Sequence, residues 1–200
     1  SGGSTPDPAL DAAWIAPVTF DRLALSGLLL ITPKRFGDDR GWFSEVFRED
    51  LFRAEAGDVH FVQHNQSFSQ PTGTVRGLHL QVRRPQGKLV RVIEGGILDV
   101  AVDVRVGSPR FGRWVAVELT ADNFRQCYIP VGFAHGFAVL SPFAEVEYKC
   151  SDLYDPSDEL RLLWNDPEIG VRWPVEDPIL SDKDRAGLPL SAWMDRLPTW

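Results

Sequence analysis

Gly96-Ile-Leu-Asp-Val-Ala-Val-Asp-Val-Arg105 alternates with a period of two. Leu98, Val100, Val102 and Val104 fall on one face, and Asp99, Asp103 and Arg105 on the other. Such alternation predicts a β-strand with one face in the core and one in solvent. A strand of a parallel βαβ sheet, covered on both sides, reads instead as a nearly unbroken apolar run. Further strands are predicted outward from this one, at Gly27–Pro33, Trp42–Phe47, Val59–Gln66, Arg113–Leu119, Phe133–Leu140 and Phe143–Lys149, with Gly, Pro, Asp or Asn between them. Helical signals are sparse. Ala54–Gly57 is too short to count, Asp21–Leu25 and Asp122–Gln126 read as single turns, and Asp155–Leu163 as one short helix. The tail is turn-rich over Trp164–Pro178, then irregular or briefly helical from Ser181 to Trp200. Short strands with no room for crossover helices give an all-β antiparallel sandwich or barrel.

The chain has 200 residues, 44% of them hydrophobic and 24% charged, which suits one globular domain with a substantial core. Its net charge of -7 speaks against a polyanionic partner, so neither nucleic acid nor an anionic membrane is expected. There is no apolar run long enough to span a bilayer and no signal-peptide pattern, so the expected location is the cytoplasm. Cys127 and Cys150 are expected to stay free thiols there. The opening Ser-Gly-Gly-Ser-Thr-Pro-Asp-Pro reads as a flexible lead-in. Charge is unevenly spread: eight Arg or Lys oppose three acids between Arg76 and Arg113, whereas ten acids oppose four bases between Asp152 and Arg185. The basic stretch suits a small anionic ligand; a salt-bridged surface would also account for it.

Strand parity sorts the polar side chains. His135 shares a face with Phe133, Phe137 and Val139, and Lys88 with Val90 and Val92. An ammonium on an inner face is held at an open mouth or by an anion, because burying it alone is costly. Tyr148 shares a face with Ala144 and Val146, as a packed phenol or as an acid in a pocket. Arg76 and His79 are three positions apart and would point oppositely on a regular strand; Gly77 between them permits a bulge that turns both into one site. His64 lies opposite Gln63 and Asn65, with nothing to say which face lines a cavity. Pro130-Val-Gly-Phe-Ala-His135 resembles the second cupin motif, yet the first motif's His-x-His is here His79-Leu-Gln81, a poor metal shell. No metal is expected.

Taken together, Arg40-Gly-Trp-Phe-Ser-Glu45, Val62-Gln-His-Asn-Gln-Ser-Phe-Ser69, Gly73-Thr-Val-Arg-Gly-Leu-His-Leu-Gln81, Gln86-Gly-Lys-Leu-Val90, Tyr128-Ile-Pro-Val-Gly-Phe-Ala-His-Gly-Phe137, Tyr148-Lys149, Trp164-Asn-Asp-Pro167 and Leu180-Ser-Asp-Lys-Asp184 resemble one family. It is that of the dTDP-4-dehydrorhamnose 3,5-epimerases, and the match runs in order from about residue 23 to 190. The resemblance implies a jelly-roll (cupin) β-sandwich or barrel with short peripheral helices over residues 21–200, behind a flexible extension of residues 1–20. It implies His79 as the base, Asp184 as its carboxylate partner (Asp182 being the neighbouring candidate) and Tyr148 as the acid. Arg40, Glu45, Gln63, Asn65, Arg76, Lys88, His135, Glu159 and Lys183 match substrate-contacting positions, and Tyr154 the aromatic that stacks on the nucleobase. It further implies a dTDP-linked 4-keto-6-deoxy sugar as substrate and a homodimer whose subunits complete each other's sites. Leu80 stands where the family commonly has an aromatic.

The implied reaction fits these residue types. A 4-keto group acidifies the C–H bonds at C3 and C5, so epimerisation needs a base, an acid across the ring and a donor at the enolate oxygen, for which Lys88 is the best candidate. No redox cofactor is needed, and no Gly-x-Gly-x-x-Gly fingerprint is present. The alternatives are an epimerase or ketoisomerase acting at one carbon of an antibiotic-pathway deoxysugar, and a sugar-binding cupin without catalysis.

Overall fold

The computed structural model describes residues 18–199. Two antiparallel sheets form a sandwich. The first runs in the order β1 (Thr19–Arg22), β2 (Leu29–Thr32), β10 (Gln126–Ile129), β7 (Lys88–Glu94), β12 (Ala144–Cys150) and β5 (Gln63–Ser69). The second runs β13 (Glu159–Arg161), β6 (Val75–Gln81), β11 (Phe133–Val139), β8 (Gly96–Asp103) and β9 (Trp114–Thr120). A small hairpin, β3 (Phe36–Asp38) with β4 (Gly41–Phe43), stands apart. Among the described residues no strand pairing joins the two main sheets, so the sandwich is not closed into a barrel. The helices are short: α1 (Glu49–Ala56), the single turn α2 (Asp182–Arg185) and a 3₁₀ turn at Leu190–Trp193. None is long and apolar enough to cross a membrane. The expected extension falls largely on residues 1–17, outside the described residues, and β1 begins at Thr19.

Three apolar layers hold this together. Val90, Val92, Ile97, Ala101, Leu119, Ile129, Phe133, Phe137, Val139, Ala144 and Val146 fill the space between the sheets. The outer face of the second sheet is covered by the C-terminal segment, with Leu160, Leu162, Ile169, Leu190 and Leu197 packed on Val100, Val102 and Val104. α1 covers the first sheet through Phe52, which meets Tyr128 edge-on at 5.0 Å between ring centroids. Phe52→Ala should therefore cost about 3 kcal/mol, a fall of roughly 10 °C in the unfolding midpoint by circular dichroism. A shift near zero would mean that α1 is not anchored by this ring.

Four local expectations change. β8 is buried on both faces, not half-buried: Asp99 is 1% and Asp103 0% exposed. Its apolar face lies under the C-terminal tail and its carboxylates have internal partners, Asp99 Oδ1 in His135 and Asp103 in Arg105 and Ser108, while the buried Asp99 Oδ2 has no hydrogen-bond partner among the described residues. The segment expected as a helix at 155–163 is instead a turn and the strand β13, because Leu160 and Leu162 alternate into the outer core. A helix exists at 49–56 where only Ala54–Gly57 reads as helical; Arg48 at its N-cap makes no side-chain cap and only Phe52 is buried, although Glu49 and Asp50 in the first turn and Gly57 at the C-cap mark its two ends. The strand expected at 42–47 ends at Phe43, beyond which the chain runs irregularly towards α1. Cys127 and Cys150 are buried and unpaired, and burial pushes both thiols upward in pKa.

Candidate active site

The site begins with an irregularity in β6. Its register against β11 pairs Arg76 with Phe137 and His79 with His135, three steps on one strand for two on the other. The extra residue is taken up at Gly77, where φ is +112°. A Cβ there would stand 2.6 Å from both the Gly136 Cα and the His135 carbonyl oxygen, so the close approach of the two strands requires glycine. The bulge turns Arg76 and His79 to the same wall, as Gly77 suggested.

That wall belongs to a cavity of about 270 Å3 lined by Arg76, His79, Lys88, His135, Tyr148, Tyr154, Glu159, Arg161, Lys183 and Asp184. A second cavity, of about 380 Å3, adjoins it through His79, Lys88, Tyr148, Tyr154 and Glu159, and adds Gln63 and Asn65. Together they are in the range of small-molecule sites. The mouth is fixed by backbone as well as side chains, since the Tyr154 amide donates to Gln63 Oε1 at 2.9 Å. Gln63 and Asn65 face inward and His64 outward, 3.6 Å from Glu147.

His79 Nε2 lies 2.5 Å from Asp184 Oδ1. Asp184 is 4% exposed and sits on α2, whose cap Ser181 accepts from the Asp184 amide at 3.1 Å. Burial pushes the Asp184 carboxyl up, but hydrogen bonds from His79, Ser181 and the Gly77 amide outweigh it and hold the group below the usual carboxylate range. It is thus an anion at neutral pH, suited to orient the ring and to stabilise an imidazolium. With Nε2 engaged, Nδ1 is the nitrogen left to take a proton; Glu159 Oε1 is 3.9 Å from it. Asp182 lines neither cavity, which leaves Asp184 as the partner.

The other walls carry complementary groups. Burial pulls the Lys88 ammonium down in pKa, and among the described residues it makes no ion pair. Burial pushes the Tyr148 phenol up, with the Arg76 cation and the Asn65 amide only partly offsetting it, so the hydroxyl keeps its proton well above neutrality. His135 forms a second, deeper dyad, its Nε2 2.6 Å from Asp99 Oδ1. Arg76 is held by Ser69 Oγ at 2.7 Å. Among the described residues no group of three or more His, Cys, Asp or Glu side chains could hold a metal ion. An imidazole on the wall of the second sheet, with a protonated phenol and an ammonium on adjacent strands of the first, can move a proton across a ring held in the cavity.

Two expected site residues are not brought here. Arg40 is paired with Asp38 on the exposed β3–β4 hairpin, in an open depression beside Phe36 and Trp42. Glu45 lies near Phe47 and Phe52, on the far side of the first sheet. The sequence reading also missed Arg161 and Asp99. Arg161 was hidden in a segment read as helical and acidic, although Glu159-Leu-Arg161-Leu already alternates as a strand does. Asp99 was placed on a solvent face that the structure turns inward.

A family model described as dTDP-4-dehydrorhamnose 3,5-epimerase matches residues 22–192. The chain is 52% identical over 168 residues to the dTDP-4-dehydrorhamnose 3,5-epimerase of Pseudomonas aeruginosa, covering 83% of this chain and 92% of that one. Its structure is similar to that of the dTDP-6-deoxy-D-glucose-3,5-epimerase of Legionella pneumophila in complex with dTDP-4-keto-L-rhamnose, with a TM-score of 0.89 and 43% identity over 92% of this chain and 99% of that one. A 4-keto-6-deoxy sugar epimerase from the novobiocin gene cluster of Streptomyces spheroides follows at a TM-score of 0.88, with 35% identity over 92% and 94% of the two chains.

Proposed function

The chain belongs to the dTDP-4-dehydrorhamnose 3,5-epimerase family, and from that premise we propose that His79 and Tyr148 are its proton-transfer pair, working from two walls of one cavity. The chain is an enzyme that inverts C3 and C5 of a dTDP-linked 4-keto-6-deoxyhexose. The observation that carries the residue assignment is the His79–Asp184 contact of 2.5 Å in a cavity that also holds Tyr148 and Lys88.

His79 Nδ1 removes the proton next to the ketone, and the electron pair of the C–H bond moves into the carbonyl to give an enolate. Asp184 stabilises the imidazolium that results. Lys88 donates to the enolate oxygen, with His135 and Arg76 assisting; a preorganised donor of this kind is worth on the order of 3 kcal/mol at the transition state. Tyr148 then delivers a proton to the other face of the carbon, which completes the inversion. The carbonyl is in the substrate already, so no electron carrier enters this scheme. Gln63, Asn65, Tyr154, Glu159 and Lys183 hold the nucleotide and sugar, and that remote binding energy keeps the ring between base and acid.

Two copies of the chain form the working unit. Arg40 and Glu45 match substrate-contacting positions yet lie outside their own cavity, while the hairpin beside them exposes Trp42 and Phe43 at 58% each. A hairpin so placed reaches a neighbouring subunit's site. The sandwich is the jelly roll of the cupins, built as a single domain, and the net charge of -7 suits a cytoplasmic enzyme with no nucleic-acid or membrane partner.

Incubation with a dTDP-linked 4-keto-6-deoxyglucose in deuterated water tests the reaction. Proton NMR should show loss of the signals at both C3 and C5, with inversion at each. Exchange at one carbon only would make the chain a single-site epimerase, and no exchange at all would leave it a binding protein.

A further inference from the structure

We propose that Arg161 is a positioning residue for the base: it holds Glu159 away from Nδ1 of His79 and leaves that nitrogen open to the sugar. The inference rests on the reading of His79 as the base. β13 pairs with β6 so that Arg161 stands directly opposite His79. Glu159 and Arg161 share one face of that strand, while Leu160 between them is buried in the outer core. Glu159 Oε2 is bound by Arg161 Nη2 and lies 3.4 Å from the Tyr154 hydroxyl, whereas Oε1 is 3.9 Å from His79 Nδ1.

The arrangement sets one imidazole between two carboxylates. Asp184 on Nε2 is useful, because it stabilises the charge formed during proton transfer. A second carboxylate on Nδ1 would be harmful. By accepting a hydrogen bond from a protonated Nδ1 it would favour the ring's charged form before substrate arrives, leaving that nitrogen no lone pair for the substrate proton. The 3.9 Å gap is too long for a hydrogen bond but short enough for a small side-chain rotation to close. Arg161 opposes that rotation by binding the other oxygen, and it neutralises the carboxylate beside the ring. The remaining charged or titratable groups around the cavity come from other elements: Lys88 on β7, His135 on β11, Tyr148 on β12, Lys183 on α2 and Arg76 on β6 itself. None of them has an ion pair with Glu159, so the balance falls to Arg161.

The test compares Arg161→Met, Arg161→Lys and Glu159→Gln by two readouts. One is the 15N NMR titration of the ligand-free His79 ring, assigned by its loss in His79→Gln. The other is the pH profile of kcat/KM. Arg161→Met should move the His79 midpoint and the acid limb upward together by about one pH unit, a loss of roughly tenfold at pH values on the limb. Arg161→Lys should restore most of the shift. Glu159→Gln should move the midpoint the other way, and adding Arg161→Met to it should produce less than half the shift seen alone. A folded Arg161→Met protein with an unmoved midpoint overturns the proposal, and so does an equal shift in the Glu159→Gln background. A midpoint that moves while the acid limb stays would overturn the base assignment instead, with the Glu159–Arg161 coupling still standing.

Discussion

His79→Asn should lower kcat by about three to four orders of magnitude while leaving affinity for a dTDP-linked sugar within a few-fold. The substitution keeps a polar side chain of similar reach, but an amide cannot accept a proton at working pH. The cavity itself should survive, because its walls are set by the β6 bulge at Gly77 and by the packing of Phe137, Val90 and Val146. Asp184 would lose its imidazole partner yet keep Ser181 and the Gly77 amide, so α2 should stay in place. Calorimetry with dTDP and solvent exchange by NMR separate the two effects. Exchange should vanish at C3 and C5 together, since one base serves both carbons. A variant that retains a tenth of the wild-type rate, or that loses exchange at one carbon only, would place the base elsewhere.

How much of this was legible beforehand depends on the range of the interaction. The alternation of Gly96–Arg105 and the strand parity of Phe133–Val139 are local signals, and both strands appear within a residue or two of their expected ends. Parity also put Lys88, His135 and Tyr148 on inner faces, where the structure has them lining a cavity. What parity cannot report is which side of a strand the rest of the chain will cover. Asp99 and Asp103 read as solvent-facing because carboxylates usually are. The tail of the chain, some sixty residues later, covers the opposite face of β8 and turns them inward. The same long-range packing made β13 a strand. Leu160 and Leu162 gain more from the outer core than the segment gains from a short helix, whose nucleation is unfavourable. Arg161 was lost with that misreading. Asp184 is a different case: it is 105 residues from His79 in sequence, and only the resemblance brought the pair to notice before the structure placed them in contact.

Tyr148→Phe should separate the two halves of the reaction. The substitution removes one oxygen and leaves a ring that still packs beside Val90 and Val146, so folding and substrate affinity should change little. His79 would remain able to take the proton and return one to the face it came from. Inversion needs delivery to the opposite face, the role proposed for the phenol. The expected result is continued uptake of deuterium at the acidified carbons with net epimerisation slowed by about two to three orders of magnitude. The pH dependence carries a second sign. Because burial raises the Tyr148 pKa, the wild-type hydroxyl stays protonated beyond the ordinary tyrosine range, and the acid is lost only as pH climbs through that raised value. Whatever basic limb the wild-type inversion rate shows in that region should be absent from the residual rate of Tyr148→Phe. Polarimetry follows inversion and NMR follows exchange on the same sample. Equal losses in both would mean that Tyr148 acts before the enolate forms, as a binding group or a second base; unchanged inversion would remove it from the chemistry altogether. Exchange that outruns inversion is the one pattern that requires a base and an acid on different walls, and it is the pattern that His79 on the second sheet and Tyr148 on the first, lining one cavity with Lys88 on the strand beside Tyr148, should produce.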